Sequence, residues 1–207
     1  IKGNGQRGFN DEDIPKDDKK RMLYETGKKL LFENGYHEIG MDHFALKTDT
    51  LYDAFEKGAL HRNFMGYSSS KTKLMIGLGV SSISDSWYSF AQNVKSLEEY
   101  YQLLERNKLP VYRGHLLTGE DLIIRKHILN LMCQFETSWK NQEAYFEEIP
   151  EVLNQLKEME NDGLLIIKEN SIAVTEKGKP YVRNICMAFD LRLKRKAPET
   201  ELFSMTI

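Results

Sequence analysis

The chain has 207 residues and a net charge of -2, from 29 Lys and Arg against 31 Asp and Glu, with 41% hydrophobic and 29% charged positions. Those values fit a soluble globular protein of one large or two modest domains. They exclude a global basic field that would draw in nucleic acid or an anionic membrane, and no apolar run approaches the roughly 20 residues of a membrane span.

No secretory leader pattern is visible at the start. The two cysteines, Cys133 and Cys186, lie far apart and form no C-x-x-C pair. They read as buried, reduced thiols of a cytoplasmic protein, with no metal site between them. The opening "IKGNGQRGFNDED" begins at Ile1 and is polar and glycine-rich. It reads as the middle of a loop, so the chain is expected to be a piece of a longer protein.

The first helix is predicted over Asp17 to Asn34, with Asp17 and Asp18 at the positive end of its dipole and Gly35 as its C-cap. Leu23, Gly27, Leu30 and Leu31 recur on one face. "YHEIGMDHFA" follows at once as a strand, so helix, glycine and strand form half of an α/β unit. A short helix is predicted over Leu51 to Leu60, a polar loop from His61 to Ser70, and a buried strand at "KLMIGLGVSSIS". Its glycines mark a close approach by a ligand or another chain segment.

From Ser96 the pattern turns helical. "SLEEYYQLLERNK" is amphipathic and "VYRGHLLT" is extended. Thr118 and Asp121 form a capping box before "LIIRKHILNLMCQF", whose buried side is assigned to Leu122, Ile128, Leu131, Met132 and Phe135. A helix at Glu151 to Asn161 ends at Gly163; "LLIIK", "ENS" and "IAVT" make a hairpin; a last helix runs through "YVRNICMAFDLRL". Helix, helix, hairpin, helix is close to the order of a winged-helix domain. The boundary falls between Asn93 and Leu97, giving residues 1–94 and 95–207.

Few residues suggest chemistry. His43 follows Asp42 at a strand end, either as a polar pair aimed into a cavity or as a satisfied turn. His61, Arg62 and Asn63 precede Phe64 and Tyr67. The planar fork of an Arg suits a carboxylate and a flat ring suits a planar ligand; the alternative is a surface loop with an aromatic anchor. "GLGVSS" lacks the third glycine and following helix of a dinucleotide loop. "RLKRK" at Arg192 to Lys196 reads as a solvated helix end, and Arg125 with Lys126 is too sparse for a nucleic-acid face. No residue is marked as a catalytic nucleophile.

Five stretches together, "YHEIGMDHFA", "LHRNFMGYSS", "IGLGVSSIS", "RKHILNLMC" and "VTEKGKPYVRNICMAFD", resemble the oxygen-independent coproporphyrinogen III oxidases in the right order along nearly the whole chain. The haem chaperones of the same superfamily are similar, but carry "YEISNFA" where this chain has "IGMDHFA". A haem chaperone and a winged-helix binding module are the alternatives.

The resemblance implies a radical S-adenosylmethionine enzyme of haem biosynthesis, with a 4Fe-4S cluster on a C-x-x-x-C-x-x-C loop in an incomplete (β/α) barrel. It implies oxidative decarboxylation of two propionates of coproporphyrinogen III to vinyls, giving protoporphyrinogen IX. Cys133 and Cys186 match no cluster ligand, so the chain is expected to be the C-terminal half: the final strands and helices of the barrel, then a mostly helical, winged-helix-like domain. Alone it is expected to bind no cluster and to be inactive, its partner being the missing N-terminal half. The resemblance implies that Ile83 touches S-adenosylmethionine through the strand backbone and that Phe64 and Met65 lie near it; Met65 stands where the family pattern has Gln. Arg62 and His43 are assigned to the propionates on their chemistry alone. No nucleic-acid, membrane or metal contact is expected of this chain.

Overall fold

The structure, a computed structural model, describes residues 12–196. Most of the opening stretch read as a loop, and the last eleven residues, lie outside the described residues.

Helix α1 (Asp17–Glu33) ends as expected before Gly35, which turns the chain at φ +82°. Its predicted face is only partly used: no residue of α1 is buried, and Leu23 and Leu30 are half-exposed. The expected single strand is a hairpin, β1 (Tyr36–Gly40) and β2 (His43–Leu46), paired antiparallel from Tyr36 with Leu46 to Gly40 with His43. Met41 takes the turn at φ 52°, a conformation its sequence does not advertise. Helix α2 (Thr50–Glu56) is capped by Asp49, whose carboxylate accepts the Leu51 N–H.

The expected polar loop is also a hairpin, β3 (His61–Asn63) and β4 (Gly66–Ser68), with Phe64 and Met65 at its tip. The expected buried strand at 73–84 divides into β5 (Leu74–Met75) and β6 (Ile83–Ser86), joined by a segment on which Ile76 and Leu78 are exposed. β7 (Ser89–Asn93) was not foreseen. After α3 (Leu97–Glu105), capped by Ser96, β8 (Val111–Leu116) returns to β7 and completes the sheet β5-β6-β7-β8.

Every strand pairing among the described residues is antiparallel. The links at Met41–Asp42 and Phe64–Met65 explain this locally: a turn that short closes an antiparallel pair, whereas a parallel pair needs a crossover of a dozen residues or so. The α/β class holds; no parallel helix–strand unit occurs among the described residues.

Helix α4 (Gly119–Gln134) carries the complete capping box of Thr118 and Asp121, and Phe135 closes it in the left-handed region. Then come β9 (Glu136–Ser138), α5 (Ile149–Gln155) with Pro150 in its first turn, α6 (Lys157–Asn161), the hairpin β10 (Leu165–Lys168) and β11 (Ser171–Val174), α7 (Val182–Met187) and α8 (Leu191–Lys196). β9 adds to β11, giving the three-stranded order β10-β11-β9.

One buried cluster runs through the fold. Ile39, Ala45, Ala54 and Leu60 join Leu131, Val152, Leu156, Ile172, Ile185 and Phe189. Of the predicted buried side of α4, Leu131, Met132 and Phe135 are buried, but Leu122 and Ile128 are intermediate, and Ile124 and His127 are buried as well. His127 is stacked on Phe189, with one ring nitrogen 2.7 Å from Thr137 Oγ1 and the other 2.7 Å from the Ala144 carbonyl. Both nitrogens are satisfied and burial holds its pKa below the usual value.

Candidate substrate cavity

The β3–β4 hairpin is built to present Arg62. Residues directly opposite in a ladder share a face, and Arg62 pairs with Tyr67. Its guanidinium lies 4.5 Å from the Tyr67 ring centroid. Tyr67 is anchored in turn, its hydroxyl donating to the Met132 carbonyl at 2.8 Å. Gly40 makes room for it: a Cβ at that position would sit 2.5 Å from the hydroxyl. Burial pushes the Tyr67 hydroxyl up, against the opposing influence of Arg62. Arg62 Nη1 is buried with no hydrogen-bond partner.

The β5–β8 sheet supplies a second wall. Side chains alternate along a strand, and the register pairs Asp85 with Phe90 and Phe90 with His115. Ile83, Asp85, Phe90 and His115 therefore share one face. Phe64 packs edge-on against Phe90, centroids 5.2 Å apart. Arg125 of α4 meets this face with both oxygens of Asp85 at 2.9 Å from its Nη2. It also donates to the Trp87 carbonyl at 3.2 Å and lies 4.7 and 4.9 Å from the Trp87 and Phe90 centroids.

At the start of α4, Asp121 is a second buried carboxylate. It takes the Arg192 fork at 2.6 and 2.7 Å, the Thr118 N–H at 2.8 Å and the Thr118 hydroxyl at 2.9 Å, with His115 Nε2 3.2 Å away. The Arg192 fork, helped by Thr118 and His115, holds this carboxyl well below the usual carboxylate range despite its burial. "RLKRK" is thus no simple solvated end: Arg192 pairs with Asp121, and Arg195 pairs with Glu120 and Glu148.

These walls enclose a cavity of about 720 Å³. Arg62 and Phe64 come from the hairpin, and Asp85, Phe90 and His115 from the sheet. Helix α4 contributes Asp121, Ile124, Arg125, Ile128 and Met132 at helical spacing. Arg183, Cys186, Met187 and Asp190 follow the same i, i+3, i+4, i+7 rule through α7 and just beyond it. A largely apolar hollow with a few cationic forks suits an apolar ligand carrying carboxylates.

Of the residues assigned from sequence, Arg62 and Phe64 line the cavity and three do not. Met65 is 85% exposed at the hairpin tip. Ile83 shares the sheet face but lies along it from Asp85. His43 backs the hairpin: its ring is 5.1 Å from that of Tyr67, and a Cβ on Gly66 would lie 3.1 Å from its Nε2. Its Nδ1 is 3.0 Å from Asp42 Oδ1, close enough for an ion pair but not aligned as a hydrogen bond. Gly77 admits a chain segment, since a Cβ there would meet the Ile83 backbone at 2.8 Å. Sequence reasoning assigns Arg192 to a helix end and Asp121 to a cap and passes over Arg183, Asp85 and His115; the spacing of Arg183 and Asp190 within "YVRNICMAFD" is a signal for Arg183 alone.

Among the described residues no group of three or more His, Cys, Asp or Glu could hold a metal ion, and no helix is long and apolar enough to cross a membrane. Cys133 and Cys186 are both buried and unpaired. Burial pushes their thiols up, to about 11 and about 12.

No protein-family profile matches the chain. It is 39% identical over 197 residues to the oxygen-independent coproporphyrinogen III oxidase of Escherichia coli (strain K12), a match covering 93% of this chain and 43% of that protein. The enzyme of the same name from Synechocystis sp. is 35% identical over 211 residues, covering 98% of this chain and 45% of that one. In three dimensions the chain is similar to the coproporphyrinogen III oxidase from Escherichia coli described as a radical SAM enzyme. The TM-score is 0.84 at 38% identity, over 91% of this chain and 44% of that chain. In sequence and in fold, the chain corresponds to the C-terminal part, a little over two fifths of the length, of the oxygen-independent coproporphyrinogen III oxidases.

Proposed function

We propose that this chain supplies the C-terminal part of an oxygen-independent coproporphyrinogen III oxidase. Its cavity would form one side of the site for coproporphyrinogen III, a tetrapyrrole with four propionates. Two of these lose carbon dioxide in oxidative decarboxylation, leaving the vinyls of protoporphyrinogen IX in haem biosynthesis. The observation that carries the reading is the cavity itself: a hollow of about 720 Å³ with apolar walls and an Arg62 nitrogen buried without a partner, on a chain 39% identical to such an oxidase over 93% of its length.

The share of this chain is to bind, orient and exclude water. Arg62 takes a propionate, and Phe64 packed on Phe90 covers the rim. His43 sits behind the hairpin and is proposed as a second polar group for a propionate. Ile83 through its backbone, with Phe64 and Met65 through exposed apolar side chains at a turn, are the proposed contacts for S-adenosylmethionine, the source of the radical that starts the decarboxylation. A 4Fe-4S cluster does not fit the residues present. The two cysteines are buried thiols with raised pKa, and among the described residues they belong to no group of three that could hold a metal. The cluster ligands therefore belong to the N-terminal portion of the protein, the partner that completes the barrel.

Residues 1–94 are read as the last part of that barrel. What supports this is the apolar surface left uncovered there, on Leu23, Leu30, Met65, Leu74 and Leu78. Residues 95–207 are read as the winged-helix-like C-terminal domain, supported by the order α4, β9, α5, α6, β10, β11 and the three-stranded sheet. Nucleic-acid binding is not part of the reading: α6, before the hairpin, has the sequence KEMEN and carries no basic face. A cytoplasmic location accords with the two free thiols.

The test is a chimera in which this chain replaces the matching segment of the Escherichia coli enzyme. The purified, cluster-loaded chimera is expected to convert coproporphyrinogen III to protoporphyrinogen IX anaerobically with S-adenosylmethionine and a reductant. A folded, cluster-loaded chimera that makes no vinyl groups would refute the reading.

A further inference from the structure

Four guanidinium groups face the cavity, from Arg62, Arg125, Arg183 and Arg192. Two are already committed, Arg125 to Asp85 and Arg192 to Asp121. Both pairs are multidentate: Arg125 engages both terminal nitrogens, and the charge of Arg192 is matched by Asp121 through Nε and Nη2. The other two differ. Arg62 buries Nη1 without a partner, and Arg183 has no ion pair or hydrogen bond among the described residues. The remaining carboxylate of the cavity, Asp190, is occupied in accepting the Leu193 N–H at 2.9 Å.

The two uncommitted arginines line the same cavity as Cys186, and Arg183 lies on the same face of α7 as Cys186, one turn earlier. Ile124, Ile128 and Met132 give the same cavity an apolar wall. A buried guanidinium nitrogen without an acceptor is costly to maintain, and its planar fork matches a carboxylate bidentately.

We propose that Arg183 and Arg62 form a two-point receptor for two carboxylates of a single, otherwise largely apolar ligand. The identity of that ligand as the tetrapyrrole rests on the oxidase reading above; the receptor itself rests on the cavity. Arg183 is the new element, and among the described residues no side chain pairs with it.

The probe is coproporphyrin III, the stable oxidised tetracarboxylate, with its tetramethyl ester as the uncharged control. Each is titrated into the 207-residue chain and followed by porphyrin fluorescence. Arg183→Gln is expected to weaken coproporphyrin III binding about tenfold or more, as for loss of one charge-assisted hydrogen-bond pair. Arg62→Gln is expected to do the same, Arg183→Lys to retain part of the affinity, and the ester to bind weakly and equally to all. Because Arg62 also lies on Tyr67, Arg183→Gln carries the test if Arg62→Gln does not fold. Wild-type binding that does not prefer the acid to the ester, or an Arg183→Gln chain within about twofold of wild type, overturns the receptor.

The chimera separates this from the parent reading. There Arg183→Gln is expected to raise KM with little change in kcat, the signature of lost ground-state binding. A chimera that turns over with unchanged KM in Arg183→Gln overturns the receptor and leaves the oxidase reading. A chimera without vinyl formation, alongside Arg183-dependent porphyrin binding, does the reverse.

Discussion

Replacing Asp121 with Asn keeps the shape of the side chain and removes its charge. The carboxylate accepts two hydrogen bonds from Arg192 and two from Thr118. One amide oxygen cannot replace four contacts, and the new NH2 faces donors. Hydrogen bonds to a charged group are worth about 1.5–3 kcal/mol. Arg192 is 42% exposed, so the Coulomb part is screened by solvent and the lower end applies. The weakened capping box adds about 1 kcal/mol. The sum, about 2–3 kcal/mol, lowers the melting temperature by roughly 5–10 °C for a chain of this size. The pH dependence is diagnostic. The folded-state pKa of Asp121 is depressed, so its stabilisation is complete above the unfolded value of about 3.9 and is lost as pH falls toward the folded value. Urea unfolding followed by circular dichroism should show a constant gap between wild type and Asp121→Asn above about pH 5, shrinking by about 1.4 kcal/mol per unit below about pH 4. Equal stability at neutral pH, or a gap that persists unchanged at about pH 3, would refute the account.

Burial depresses the His127 pKa, so its contribution is full above the unfolded value of about 6.5 and is lost as pH falls below it; NMR titration should find its ring titrating below the ordinary value, and a ring titrating at that value would contradict its placement. Gly178→Ala puts a Cβ 1.8 Å from the Leu164 carbonyl oxygen and should cost roughly 3 kcal/mol or more. Gly27→Ala in α1 meets nothing within 4 Å and should stabilise by about 0.5–1 kcal/mol; both are read in urea melts, and equal effects would be evidence against the packing. Cys133 and Cys186 should resist thiol reagents in the native chain and react on unfolding, since both are buried with thiols at about 11 and about 12; rapid native labelling would show the helices around them are open.

Where local chemistry decides, the sequence was legible. The capping box at Thr118 and Asp121, the glycines after α1 and α6, and the β10–β11 hairpin all form as read. The hairpins at 36–46 and 61–68 escaped notice because their turns use Met41 at positive φ and a Phe64–Met65 tip rather than the usual Asn-Gly or Asp-Gly. β7 was hidden for another reason: SFAQN has only a weak alternation and owes its strand to pairing on both sides, with β6 and β8. In the cavity, Arg62 and Phe64 were legible as a fork beside a ring. Asp85 and Arg125, forty residues apart, and Asp121 and Arg192, seventy-one apart, meet only through tertiary folding.

Arg125 joins α4 to the β6–β7 turn through Asp85, the Trp87 carbonyl and two aromatic faces at once. Swinging the sheet away from that helix would part Asp85 from Arg125 and leave each charge without its partner, which is strongly destabilising. Helix and sheet are thus tied to one another at this point, and a change in the width of the cavity is expected to come from the hairpin and α7 that face them.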